Sequence, residues 1–215
     1  MNIIDKLAIP ARSLKLDQLH HGDIIACHHE QQPLMRAIAI GSGIPTHVMV
    51  WVGEGKVIEA DEGKVRISDL KSKYFNRGYI FWVFRLKLDD GQLKLFLGLI
   101  KSRVDRLYDI HGALASWLAS WLGPFVRSID PSVPNPLGLA NAYFCSEVIA
   151  WALAQLGIYI KGVYSSGSYW FRRIVYRLKE TDFFYDPSNV SPALLVGDER
   201  VCFNMTLPCG IFDPF

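Results

Sequence analysis

Cysteine is scarce in this chain, and the cysteines do not occur in closely spaced pairs. The four cysteines show no C-x-x-C spacing. Small secreted domains held by disulfides carry a denser framework, and structural zinc sites repeat paired ligands at fixed intervals. The sequence therefore excludes a disulfide scaffold and predicts a chain that folds in a reducing compartment. The cysteines are Cys27, Cys145, Cys202 and Cys209.

Long apolar runs and strong charge of one sign are also missing. The opening sequence MNIIDKLAIPARSLKL contains an early acidic residue and a proline, and no segment has the uninterrupted apolar length of a membrane span. The formal net charge is only +2, without a long Lys/Arg run, which argues against nucleic-acid binding. We expect a soluble, cytoplasmic protein without a transmembrane segment.

Internal repeats, low-complexity tracts and linkers are absent too, so residues 1–215 are predicted to form a single domain. The stretch HHGDIIACHH at residues 20–29 contains zinc-ligand residue types, but no second cluster follows at finger-like spacing. A strand would also place these side chains on opposite faces. We expect neither a metal nor another cofactor.

The stretch NAYFCSEVIAWALAQLG, residues 141–157, predicts a helix with Cys145 in or just before its first turn. Ser146 and Glu147 suit a helix start, and Gly157 suits its end. The free N–H groups and the positive dipole end at such a position lower the pKa of a thiol and favour the nucleophilic thiolate. Cys145 also falls on the apolar stripe of this helix, so a buried, inert cysteine explains the position equally well.

Residues 46–60, THVMVWVGEGKVIEA, predict a β-hairpin with a three-residue turn at 53–55. In this register Glu59 is the diagonal neighbour of His47 on one face, within reach for a carboxylate that orients a general base. Asp61 is the competing partner because it lies directly opposite His47. The predicted facing pairs are Val52 with Lys56, Met49 with Glu59, and His47 with Asp61.

The segments between the hairpin and the cysteine helix predict a meander followed by a helix. Short strands are expected at 64–70 and 79–88, with a turn at the end of the first and an amphipathic helix at 92–107. The stretch ALASWLASWLGPFV, residues 113–126, is predicted to pack on the core. Its alternative use is a peripheral contact with a membrane or a lid over an acyl group.

Taken in order, these parts form a specific combination. THVMVWVG carries a strand histidine, VIEA carries a carboxylate on the next strand, Tyr108-Asp109 follows a helix, and FCSEVIAWAL and VSPALL come later. This order resembles the circularly permuted branch of the NlpC/p60 papain-like cysteine hydrolases, a superfamily that includes the lecithin retinol acyltransferase relatives. The resemblance covers roughly residues 20–200 and implies an α+β, papain-like fold. In that fold an antiparallel sheet packs against the helix that bears the nucleophile.

The resemblance also implies roles for individual residues. Cys145 is the nucleophile, His47 the base and Glu59 the orienting residue of a thiol protease or amidase that acts on a peptide or a peptidoglycan fragment. The tetrahedral oxyanion meets the Cys145 N–H and one further donor. The candidates for that donor are Tyr108, Tyr143 and a side chain near Asp23, whose Gly-Asp pair matches the family's strand opening.

Two other functions are compatible with the same residues. The first is a thiol-dependent acyltransferase or (thio)esterase acting on a lipid-like acyl substrate, suggested by the apolar stretch 113–126. The second is a binding module without turnover, in which Cys145 is only part of the core. An apolar acyl pocket would favour the first, and an ordinary, unreactive thiol the second.

Overall fold

A computed structural model provides the structure of the chain. The residues it describes are 15–33, 35–36, 39, 44–61, 63–75, 77–109, 142–162, 183–184, 187, 190–197 and 201–206. Over these residues, no helix combines the length and the apolar character needed to cross a membrane. The stretch 113–126 and Cys209 lie outside the described residues.

The described strands form one large sheet and one small one. They are β1 (Ile24–His28), β2 (His47–Gly53), β3 (Lys56–Asp61), β4 (Lys64–Asp69), β5 (Ile80–Leu86), β6 (Leu107–Tyr108), β7 (Ala142–Tyr143), β8 (Lys161–Gly162), β9 (Phe183–Phe184) and β10 (Val201–Thr206). The large sheet has the order β10-β5-β1-β2-β3-β4-β6-β7, and β8 pairs with β9 in the small one. Pairing from β10 to β6 is antiparallel, and β7 runs parallel to β6.

The described helices are α1 (Leu70–Tyr74), α2 (Asp90–Lys101), α3 (Cys145–Gln155) and α4 (Pro192–Gly197), and a single 3-10 turn covers Leu16–Gln18. The predicted α+β class with an antiparallel sheet is therefore confirmed.

Both faces of the sheet are covered, as the central strand β1 shows. Every residue of β1 is buried. Ile24 and Ala26 join the core that includes α3, whereas Ile25 and Cys27 join a second core that includes Tyr74 of α1. Because side chains alternate along a strand, β1 contributes to both layers at once. α3 and α1 therefore pack on opposite faces of the sheet. The candidate site described below includes residues from both helices.

The hairpin of β2 and β3 has the predicted register but a different turn. Val50 pairs with Ile58, as the prediction requires, but Gly53 rather than Val52 pairs with Lys56, and the register shifts between Trp51 and Gly53. The predicted three-residue turn is therefore wrong. Glu54 and Gly55 form a two-residue turn in which both have positive φ, 52° and 75°, as a type I′ turn demands.

Gly53 has φ near 91°, and a Cβ added there would lie 2.7 Å from the ring of His21. Gly63 has φ near 93° but nothing within 4 Å of such a Cβ. We expect Gly63→Ala to lower the free energy of unfolding by about 1 kcal/mol through backbone strain, and Gly53→Ala by about 2 kcal/mol, because His21 must also move. Urea denaturation of both variants measures the difference. Equal losses would show that the contact with His21 contributes nothing.

The predicted helix at 92–107 is wrong at both ends. It begins earlier, at Asp90, because the side chain of Asp89 accepts a hydrogen bond from Gln92 N–H at 2.8 Å and caps the first turn. It ends at Lys101, and Asp105 has φ near 69°. The Asp105 N–H then donates to the Val65 carbonyl at 2.8 Å, so the chain leaves the helix in order to join the sheet.

Candidate active site

Cys145 is the first residue of α3, the place that the sequence predicted for it. The carboxylate of Glu147 accepts a hydrogen bond from the Phe144 N–H at 3.2 Å, which is half of a capping box. The hydroxyl of Ser146 donates to the Val190 carbonyl at 2.6 Å and ties the helix start to the segment before α4. The Cys145 N–H therefore lies in the first turn, where N–H groups have no partner within the helix.

His47 is the first residue of β2 and connects the thiol to a carboxylate. Its imidazole lies beside the Cys145 thiol, whose charge and hydrogen bonding act on the His47 pKa, and its Nε2 lies 2.8 Å from Glu59 Oε2. A carboxylate only accepts, so Nε2 carries the proton in this contact. Nδ1 is then the ring nitrogen that can take the proton of the Cys145 thiol.

Glu59 is held by several donors in addition to His47. Its side chain is fully buried; Lys73 Nζ lies 2.7 Å from Oε1, and the Tyr74 hydroxyl donates to Oε2. Hydrogen bonding to Ser68 also contributes to lowering the pKa of Glu59. A buried carboxylate with this many donors is stabilised as an anion.

Asp61, the competing partner of His47, makes other contacts. Its Oδ2 lies 2.6 Å from Lys73 Nζ and 3.5 Å from Arg66 Nη2. The carboxylate that contacts His47 in this structure is therefore that of Glu59.

The charges in the cluster are mutually stabilising. Burial lowers the pKa of His47, but the charge of Cys145 and its hydrogen bond, followed by those of Glu59, outweigh burial and raise the pKa to about 10. Burial raises the pKa of Glu59, but the hydrogen bonds and charge of His47 and Lys73 hold it well below its usual range. Burial and the Glu59 charge raise the pKa of Tyr74 far above its ordinary value, so its phenol is a neutral donor. The buried Glu59 carboxylate thus favours the protonated form of the His47 imidazole beside it.

A second cysteine lies beside the cluster. Cys27 of β1 pairs directly with His47 in the sheet, and it is fully buried. Burial, together with the charges of Glu59 and Cys145, raises the pKa of the Cys27 thiol well above its ordinary value. Cys27 is therefore a neutral core residue at the pH at which Cys145 would act.

Of the three candidates for a second oxyanion donor, Tyr108 is the one whose surroundings include the thiol. Tyr108 is half-buried in β6, where it pairs with Tyr143 of β7. Burial, and then the charge of Cys145, raise the pKa of the Tyr108 phenol, which keeps the hydroxyl protonated and able to donate.

The other two candidates make different contacts. The ring of Tyr143 packs 6.0 Å from that of Trp151 and 5.5 Å from the guanidinium of Arg103. The Asp23 carboxylate accepts two hydrogen bonds from Arg85, each at 2.8 Å, and one from the His20 N–H at 2.8 Å. Asp23 acts as an acceptor in all three of these contacts, and residue 23 lies roughly 13 Å along the strand from residue 27. Asp23 anchors the start of β1 and is not brought to the thiol.

No protein-family model matches the chain, and no curated protein matches it. Its fold is similar to that of a bacterial metalloprotein. That protein is yiiX from Escherichia coli O157:H7, whose crystal structure aligns with a TM-score of 0.53 at 16% identity, over 88% of this chain and 98% of that one. At this identity the likeness to yiiX concerns the fold alone. Within the described part of the present chain, no group of three or more His, Cys, Asp or Glu side chains could hold a metal ion.

Sequence reasoning missed Lys73 and Tyr74, which lie on α1, a helix that it did not predict. A signal was present in the sequence: Asp69 caps α1 by accepting from the Ser72 N–H at 2.7 Å, a typical Asp-x-x-Ser helix start. Five residues are too few to show a helical period, so the pattern of apolar residues could not identify the helix.

Proposed function

We propose that this chain is a cysteine hydrolase of the permuted papain-like type, which cleaves an amide bond in a peptide or peptidoglycan-like substrate. The observation that carries the proposal is the position of His47, which lies beside the Cys145 thiol and is hydrogen-bonded to the Glu59 carboxylate. A nucleophile, a base and an orienting carboxylate in this order are the parts of a catalytic triad. The choice of an amide follows from the family that the sequence resembles.

The proposed reaction begins when His47 Nδ1 takes the thiol proton, giving a thiolate beside an imidazolium. The Cys145 sulfur attacks the carbonyl carbon, and the oxyanion accepts hydrogen bonds from the Cys145 N–H and the Tyr108 hydroxyl. The imidazolium then protonates the leaving amine as the C–N bond breaks. Water, deprotonated by His47, attacks the resulting thioester, and the acid product leaves as the thiol is restored.

Acyl transfer is the alternative with the same first step, because an acceptor other than water could resolve the thioester. The sequence feature that suggests it is the apolar stretch 113–126, which lies outside the described residues. The described residues therefore give this alternative no support beyond the shared triad.

The test is the rate at which iodoacetamide alkylates Cys145, measured by peptide mapping between pH 5 and pH 9. We expect Cys145 to be the fastest cysteine, and His47→Ala to slow it by roughly 100-fold near pH 6.5, since the variant has lost the base. His20→Ala is the matched control, because His20 is exposed and its hydrogen bond to Asp23 comes from the backbone.

Slow alkylation of Cys145 in the unmodified chain, or a rate indifferent to His47→Ala, would overturn the proposal in favour of a binding module. If alkylation behaves as expected, amine release from a panel of peptide amides and peptidoglycan stem peptides then tests the substrate class.

A further inference from the structure

Lys73 bridges two carboxylates at the boundary of the site. Its ammonium lies 2.7 Å from Glu59 Oε1 and 2.6 Å from Asp61 Oδ2. The side chain of Lys73 is 20% exposed and that of Asp61 37% exposed, whereas that of Glu59 is completely buried. Lys73 therefore links the buried anion beside His47 to an anion at the surface.

The two oxygens of Glu59 face different partners, and Lys73 holds the second of them. Oε2 accepts from His47 and Tyr74, while Oε1 accepts from Lys73. A carboxylate fixed at both oxygens cannot rotate away from the imidazole. Lys73 and Tyr74 are successive residues of α1, so one short helix supplies both supports.

The same lysine also keeps Asp61 away from the imidazole. Continuing the observed register of β2 and β3 places Asp61 opposite His47, so it has the backbone position of a competing partner. Its carboxylate is drawn instead toward Lys73 and Arg66. Lys73 thus favours Glu59 over Asp61 as the acceptor for His47.

The charge of Lys73 also acts on the imidazole through Glu59. A cation next to Glu59 offsets part of the attraction that this anion exerts on a protonated imidazole. The titratable groups packed around the His47 ring include Cys27 from β1, Glu59 from β3, Tyr74 from α1 and Cys145 from α3.

We propose that Lys73 is a positioning residue, which holds Asp61 away from His47 and moderates the negative charge that His47 experiences. The inference rests on the proposed function, in which His47 is the base. It concerns the balance of charge around that base, and its test does not require turnover.

The test is an NMR titration of the His47 imidazole in the full chain carrying Cys145→Ser, so that a thiolate does not contribute. We expect Lys73→Gln to raise the pKa of His47 by roughly one unit, because a cation is lost from the far side of Glu59. Lys73→Arg keeps the charge and should restore most of the original value. Lys71→Gln is the control, since Lys71 is an exposed lysine on the same helix and is not one of the donors to Glu59 described above.

Asp61→Asn provides an independent variant at a partly exposed position, useful if Lys73→Gln does not fold. It leaves Lys73 paired with Glu59 alone, so the pKa of His47 should fall by about half a unit. An unchanged His47 pKa in folded Lys73→Gln, or in Asp61→Asn where Lys73→Gln is unfolded, overturns the inference.

The outcome is separable from that of the proposed function. Shifts of the expected sign with an unreactive Cys145 would support the role of Lys73 and refute the hydrolase. A reactive Cys145 with an unmoved His47 pKa would do the reverse.

Discussion

Glu59→Ala should lower the free energy of unfolding by about 4 kcal/mol at pH 7, because it leaves the ammonium of Lys73 and the His47 imidazole without their buried partner. Lys73 Nζ lies 2.7 Å from Glu59 Oε1, whose side chain is fully buried. Without Glu59 the nearly buried His47 imidazole loses its carboxylate, and Lys73 keeps only its contact with Asp61 at the surface. Urea denaturation followed by circular dichroism measures the loss.

The chain offers a matched control for this prediction. Lys64 Nζ lies 2.6 Å from Asp105 Oδ1, an equally short ion pair, but the two side chains are 51% and 72% exposed. Asp105→Asn should therefore cost less than about 1 kcal/mol, since water solvates the remaining lysine. Asparagine also tolerates the positive φ of Asp105. Equal losses at the two sites would show that the Glu59 cluster contributes no more than a surface ion pair.

The second large effect is a loss of stability in acid. The folded-state pKa of Glu59 lies well below its value in an unfolded chain, about 4.3, because His47 and Lys73 stabilise the anion. The stability that this difference contributes is fully present above the unfolded pKa, and it is lost as the pH falls through the folded pKa.

Glu59→Gln has no carboxylate at this position and should lack that contribution. The difference in unfolding free energy between the unmodified chain and Glu59→Gln should shrink by about 2 kcal/mol between pH 6 and pH 3. Urea denaturation of both chains at several pH values measures it. Parallel pH curves would mean that Glu59 titrates alike in the folded and unfolded states.

That His47 and Glu59 share one face of the sheet could be predicted, because it depends only on the alternation of side chains along a strand and on the pairing register of β2 with β3. The alternation of β2 and β3 placed both residues on one side, and a two-residue turn with an irregularity near Val52 preserves the pairing of Val50 with Ile58. The register was therefore right although the turn was wrong.

The choice between Glu59 and Asp61 could not be made from the same pattern. It depends on Lys73, which contacts both carboxylates from α1. Strand periodicity says nothing about a side chain that arrives from another element. The position of Tyr108 near Cys145 could not be predicted either. It depends on the pairing of two very short strands, β6 and β7.

The base and its supports come from one continuous stretch of chain. His47 lies on β2, Glu59 on β3, and Lys73 and Tyr74 on α1, whereas Cys145 comes much later in the sequence. Contacts between residues near in sequence close small loops and can form early, and a chain made on the ribosome presents its N-terminal part first. During synthesis, the segment that contains His47 can thus fold before Cys145 has been added to the chain. The reactive pair exists only once the later helix has docked on the sheet.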